Sequence, residues 1–216
     1  LLGHVVDSYH AVGIKDITVV RGYAADTVDL SGIHYAENPR YDETGELYSL
    51  KCGLEALGTR LSGDHDFIIS YGDVLAKKYL LQLVVESEAD FSIVVDTNWQ
   101  ESANRGRFAD YVTCSAPYSR EAFGKEIQLQ RIDPDLSPDK IHGEWTGFFK
   151  VSKNALPKLR EVLVNELAEQ NGERGGMHNL FNLLIRNGEK IRVIYTTGHW
   201  LDIDSLEDLA LASRQF

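Results

Sequence analysis

Three aspartates carry the chemistry most directly readable from the chain. The stretch DFIISYGDV (66–74) runs Phe67, Ile68 and Ile69 as an apolar strand and then presents Gly72 and Asp73. The stretch GHWLDIDSLEDL (198–209) supplies Asp202 and Asp204. Alternate side chains of an extended segment share a face, so Trp200, Asp202 and Asp204 are expected on one side and Leu201 and Ile203 on the other. Two neighbouring carboxylates repel each other and need a cation or a proton. Oxygen ligands without a His or Cys partner favour a hard ion such as Mg²⁺, and Asp73 is the candidate third ligand. Each acid also has an ordinary reading. Asp73 would cap the helix after it, and Asp204 or Ser205 would cap the last helix with Glu207 or Asp208 completing a capping box. The three acids together favour the metal. His178 and His199 have no second ligand at metal spacing, so neither reads as a zinc site.

The elements that must position these acids alternate. Val5, Val6, Tyr9 and Val12 recur at helical spacing and Gly13 ends that helix. Strands are expected at 16–22, 33–38, 66–73 and 90–96, with helices at 45–58 and 77–87 between them. Strands joined by such helices imply right-handed crossovers and a largely parallel sheet. Beyond residue 100 three strand-like stretches, RFADYVTC, EIQLQRID and GEWTGFFKVS, follow without intervening helices. They read as an antiparallel insertion or extension. Helices at 154–170 and 177–188, a strand at 190–197 and a last helix at 205–216 complete the pattern. The expected fold is α/β, a mixed, mainly parallel Rossmann-like sheet flanked by helices. Ligands of such sheets bind beyond the carboxyl ends of the parallel strands, where Asp73 lies.

At 216 residues the chain suits one domain with a sizeable core. Its 43% hydrophobic and 25% charged content is that of a globular protein. No apolar run of about 18 residues suggests a membrane span, and the N-terminal stretch has no basic region of a signal peptide. The net charge of −11 argues against a nucleic-acid partner. Cys52 and Cys114 are the only cysteines. Both are expected to be buried thiols of a cytoplasmic protein.

ISYGDV followed much later by GHWLDIDSLEDL resembles the nucleotidyltransferase superfamily that activates sugar phosphates and phosphocholine. NPRYDETGELYSL (38–50) is similar to the segment that lies against base and ribose in its cytidylyltransferases. GEWTGFFKVS (143–152) is similar to the strand lining the acceptor pocket. The opening, LLGHVVDSYHAVGIKDITVVRGY, is similar to domains tied to phosphonate and antibiotic biosynthesis, some of them fused behind a phosphoenolpyruvate mutase. The resemblance spans about residues 1–214. It implies a single nucleotidyltransferase domain over 1–216 that lacks the N-terminal strand and Gly-rich loop preceding the first helix.

The resemblance implies transfer of CMP from CTP to a small phosphonate, 2-hydroxyethylphosphonate or 2-aminoethylphosphonate, with release of pyrophosphate. Phosphocholine or a sugar 1-phosphate is the alternative acceptor. A catalytically inactive nucleotide-binding module is the alternative of another class. Asp73, Asp202 and Asp204 would hold Mg²⁺, with Asp73 and Asp204 catalytic. Glu46, Ser49, Gly72 and Asp73 would meet the nucleotide. Trp145, Glu144, Arg105 and Lys150 would meet the acceptor, with Arg107 a further candidate cation. Ordinary roles compete: Glu46 suits the first turn of its helix by the dipole alone, Trp145 suits the core, and Arg105 lies in a loop read as solvated. A homodimer through the antiparallel insertion is a further expectation.

Overall fold

The computed structural model describes residues 1–58, 60, 65–102, 104, 107–122 and 124–216. The helices are α1 (Leu2–Ala11), α2 (Glu46–Leu57), α3 (Lys78–Val85), α4 (Leu156–Ala168), α5 (Met177–Arg186) and α6 (Leu206–Gln215). The strands are β1 (Thr18–Arg21), β2 (His34–Glu37), β3 (Phe67–Ser70), β4 (Val74–Ala76), β5 (Phe91–Asp96), β6 (Tyr111–Cys114), β7 (Leu129–Asp133), β8 (Gly143–Val151), β9 (Ile191–Thr196) and β10 (Trp200–Asp202).

Strand β8, buried along its whole length, is the axis of the six-stranded sheet. β5 pairs antiparallel along one edge. The other edge is shared: β6 pairs with its beginning and β3 with its end, both antiparallel. β9 adds to β5 in parallel and β7 to β6 in antiparallel. β3, β5 and β9 therefore run in one direction, as the helical crossovers require. β8 lies between β3 and β5 rather than outside them, so the antiparallel segment is inserted into the sheet.

Between Ile93 and Val95 the pairing of β5 with β8 shifts from Phe149 to Trp145, so β8 bulges there. Gly147 sits in the bulge with φ +85°, and an added Cβ would lie 2.8 Å from the Tyr71 ring. Only glycine meets both demands cheaply.

Helices cover both faces of the sheet. α2, α4 and α5 pack Leu47, Leu159, Val162, Leu180 and Phe181 against Phe149 and Ile93. α1, α3 and α6 pack Val5, Leu80, Val84 and Ala212 against Val94 and Phe148. Cys114 is buried, but Cys52 is only half-buried. It stands on α2 away from the stripe of Leu47, Leu50, Leu54 and Leu57 that faces inward, which corrects the expectation of two buried thiols. The parallel pair β1–β2 forms its own sheet. A mainly apolar cavity of about 430 Å³ lies between β1 and β3, with α1 and α2 on its walls. Among the described residues no helix is long and apolar enough to cross a membrane.

Two segments differ from the sequence expectation in ways that matter for the site. The strand expected at 66–73 ends at Ser70, and a separate strand, β4, follows Asp73. The extended segment expected at 200–204 ends as β10 at Asp202. β4 and β10 pair antiparallel, with Asp202 opposite Val74, Leu201 opposite Leu75 and Trp200 opposite Ala76.

Phe149 is fully buried, with its ring 5.9 Å from that of Phe91 and 4.8 Å from that of Phe181. Phe149→Ala should lower unfolding free energy by about 3–5 kcal/mol in a denaturant titration. A loss below about 1 kcal/mol would mean that β8 is not the central strand of the core.

Candidate active site

The β4–β10 pairing brings Asp73 to the second acidic stretch. Asp73 immediately precedes β4, and its carbonyl accepts a hydrogen bond from the Ile203 amide at 3.2 Å. Carboxylate oxygens of Asp73, Asp202 and Asp204 come within 4.8 Å of one another. The competing helix-cap roles fall elsewhere. A strand follows Asp73, and Lys77 holds the N-cap position of α3. Ser205 caps α6, its Oγ accepting from the Asp208 amide at 3.2 Å. Asp73 and Asp204 are thereby left to face each other across the turn.

A polar frame holds these turns. Asp208 is buried and accepts from Arg107 at 2.8 and 3.3 Å, from Ser205 Oγ at 2.7 Å and from the Asp204 amide at 3.2 Å. The Arg107 guanidinium holds its carboxyl low, at about 2. Arg107 also reaches within 3.7 Å of Asp204. On the other flank Asp96, buried at the end of β5, accepts from the Asn98 amide, the Gly198 amide and Trp200 Nε1 at 2.8–2.9 Å. Those bonds fix the start of β10.

The acids strain one another electrostatically. Desolvation in the cleft raises the Asp73 carboxyl above the ordinary carboxylate range, and Asp204 adds to the shift. Desolvation, then Asp73 and Asp204, push Asp202 up to about 6. Neighbouring carboxylates that resist ionising together fit a divalent cation, because one charge of +2 relieves both repulsions. The all-oxygen donor set suits Mg²⁺.

Beside this cluster lies a cleft of about 210 Å³, into which Glu46, Asp110 and Glu144 also open. Glu46 Oε2 accepts from the Met177 amide at 2.7 Å, while burial raises its carboxyl. Burial and then Glu46 raise the Tyr71 phenol, which hydrogen-bonds to that carboxylate. Glu144 Oε1 accepts from Asn104 Nδ2 at 2.8 Å, and burial pushes the carboxyl up to about 7. Asp110 lies 3.5 Å from His178 Nδ1 and raises the imidazole above its usual value.

The structure brings Glu46, Trp145 and Glu144 to the cleft beside Asp73, Asp202 and Asp204. Trp145 is at once cleft wall and core: it packs on Tyr71 and Phe181 and donates Nε1 to the Phe148 carbonyl. Ser49 and Gly72 line the adjoining apolar cavity. Ser49 Oγ accepts from Asn38 Nδ2 at 3.1 Å, and open space lies beside Gly72.

Lys150 corrects an expectation. It sits at the far end of β8, paired with Asp66 at 2.9 Å and donating to the carbonyls of Val85 and Ser87. Its strand partners, Ile68 and Ser92, lie toward the beginnings of β3 and β5, whereas Asp73 follows the end of β3. The alternation of β8 places it on the side of Glu144 but six residues away, and burial then demands the partners it finds there. Arg105 lies outside the described residues. Sequence reasoning missed Asp110, Asn104 and Asp208 as parts of the site, and it gave Arg107 to the acceptor, whereas the structure pairs Arg107 with Asp208 and Asp204. Only Asp208 left a signal, its capping-box spacing from Ser205.

No family model matches the chain. It is 24% identical to a CTP:phosphoglutamine cytidylyltransferase of Campylobacter jejuni over 224 residues, covering 97% of this chain and 85% of the relative. The inositol-1-phosphate CTP transferase of T. maritima shares the fold with a TM-score of 0.69 at 17% identity, over 96% of this chain and 77% of that one. The CTP:phosphocholine cytidylyltransferase of Streptococcus pneumoniae does so with a TM-score of 0.66 at 15% identity, over 99% and 83%. The mixed α/β fold read from the sequence is thus the fold of these transferases, and the resemblance to cytidylyltransferase-type nucleotidyltransferases holds along nearly the whole chain.

The raised acids set a pH dependence. A carboxyl raised on folding binds more protons folded than unfolded, so its stabilising contribution is complete below about pH 4 and is lost as pH rises through about 6. The melting temperature in chelator should fall by several degrees from about pH 5 to pH 7. Millimolar Mg²⁺ should restore it at the upper pH and do little at the lower. A flat profile indifferent to Mg²⁺ would contradict this electrostatic account.

Proposed function

We propose that the chain is an Mg²⁺-dependent cytidylyltransferase that joins CMP from CTP to a small phosphonate, with release of pyrophosphate. The observation that carries the reading is the convergence of Asp73, Asp202 and Asp204 beyond the ends of the sheet strands, on a fold shared with CTP-using transferases. The relatives act on phosphoglutamine, inositol 1-phosphate and phosphocholine by their names, so the common acceptor chemistry is a phosphorus oxyanion. A two-carbon phosphonate is the acceptor favoured by the similarity of the N-terminal stretch to phosphonate-associated domains. A fused or partnered phosphoenolpyruvate mutase and a homodimer belong to the same proposal.

In this reading an acceptor oxygen attacks the α-phosphorus of CTP in line. A P–O bond to the acceptor forms, the bond to the bridging oxygen breaks, and pyrophosphate leaves with that electron pair. No covalent enzyme intermediate is needed, so the protein's task is to position the two phosphorus groups and to balance charge. Mg²⁺ bound by the three aspartates would supply neutralisation of the α-phosphate and the leaving pyrophosphate. Glu46, which lines both cavity and cleft, and Ser49, which lines the cavity, would meet ribose and base. The open space beside Gly72 leaves room for the nucleotide to approach the backbone before Asp73. Arg107, tied to Asp208, keeps Asp204 directed at the cluster.

A pyrophosphate-release assay with CTP and Mg²⁺ tests the reading. Asp73→Asn and Asp204→Asn should each lower turnover about a hundredfold or more while the far-ultraviolet circular dichroism stays that of the wild type. Unchanged turnover in either variant would remove these acids from the chemistry.

A further inference from the structure

The cleft beside the aspartates is built for a positive group. Glu144 is 1% exposed; the Ser102 hydroxyl lies near its carboxylate, but among the described residues no donor meets Oε2 with hydrogen-bond geometry. A buried carboxylate oxygen without a partner is costly, so one should expect a ligand there to supply the missing donor. Asp110, 7% exposed, has Oδ1 in the same state apart from its 3.5 Å approach to His178. Glu46 is the third acid outside the metal cluster. No Lys, Arg or His is among the described residues that line the cleft, whereas Tyr71, Phe108, Trp145 and Trp200 are. Carboxylates facing aromatic rings in a small cleft are the surroundings an alkylammonium seeks. They are poor surroundings for an acceptor that carries only negative charge.

We infer that the acceptor is zwitterionic, with an ammonium group seated on Glu144 and Asp110 and its phosphorus oxyanion turned toward Asp73, Asp202 and Asp204. This rests on the cytidylyltransferase reading and narrows it. Glu144 accepts from the ammonium through Oε2 while Asn104 holds Oε1. Tyr71 offers a ring face, and the bare Cα of Gly147 lets that ring lie close to β8. The cleft volume of about 210 Å³ suits an aminoalkyl chain of a few carbons. A hydroxyl in place of the ammonium leaves Glu144 without a counter-charge, while Asp110 keeps His178.

The test compares 2-aminoethylphosphonate with 2-hydroxyethylphosphonate, near-isosteres that differ in that charge, using the chain with CTP and Mg²⁺. The expected kcat/KM favours the amine by about a hundredfold. Glu144→Gln keeps an oxygen for Asn104 and should shrink the preference to below about tenfold. Equal kcat/KM for the two acceptors in the wild type, or an undiminished preference in Glu144→Gln, overturns the inference. Calorimetric titration with each phosphonate separates this from the parent reading. Tighter binding of the amine without pyrophosphate release supports the ammonium site and removes the transferase. Pyrophosphate release with equal binding of both does the reverse.

Discussion

Three residue pairs between β4 and β10 hold this site together. Their ladder is short, but Val74, Leu75, Ala76 and Leu201 along it are all buried against α1, α3 and Phe148. Burying the Val74, Leu75 and Leu201 side chains contributes about 1.5–3 kcal/mol each. Two like charges about 4 Å apart near a protein surface cost about 4 kcal/mol. The apolar side of the ladder therefore offsets the repulsion on its polar side and keeps Asp73 beside Asp202. What remains of the repulsion is stored as raised carboxyl pKa values and is available to a divalent ion when it binds.

The acids around the cluster differ in how fully donors engage them. Asp208 and Asp96 are buried but fully engaged, one by Arg107 and Ser205, the other by two amides and an indole. They hold the backbone of the turns in place. Asp73, Asp202 and Asp204 have few donors of their own and face each other. Glu144 lies between these conditions, with one oxygen satisfied and one not. Asp96 and Asp208, engaged on all sides, build the frame, whereas Asp73, Asp202, Asp204 and Glu144 keep oxygens that donors in the fold leave unmet.

Much of the fold could be read from periodicity. The leucine stripe of α2 and the apolar runs of β5 and β8 have one reading each. The three aspartates were legible because alternation assigns a face to each side chain and because no His or Cys stands at metal-ligand spacing with them. β4 was not legible, because VLA after a Gly-Asp turn is too short to show a period. Lys150 was misplaced for a related reason: alternation gives its face of β8 but not which end of the strand meets the ligand. Asp110 and Asn104 entered the site through tertiary packing of a loop against β8, and nothing local in the sequence marks that.

The central claim is that one divalent cation belongs among Asp73, Asp202 and Asp204. Diffraction from crystals soaked in Mn²⁺, collected near the manganese absorption edge, tests it most directly. The account predicts an anomalous peak bonded to oxygens of all three aspartates at about 2.1–2.2 Å. Crystals that hold manganese elsewhere, or that leave this position empty at millimolar Mn²⁺, would contradict it.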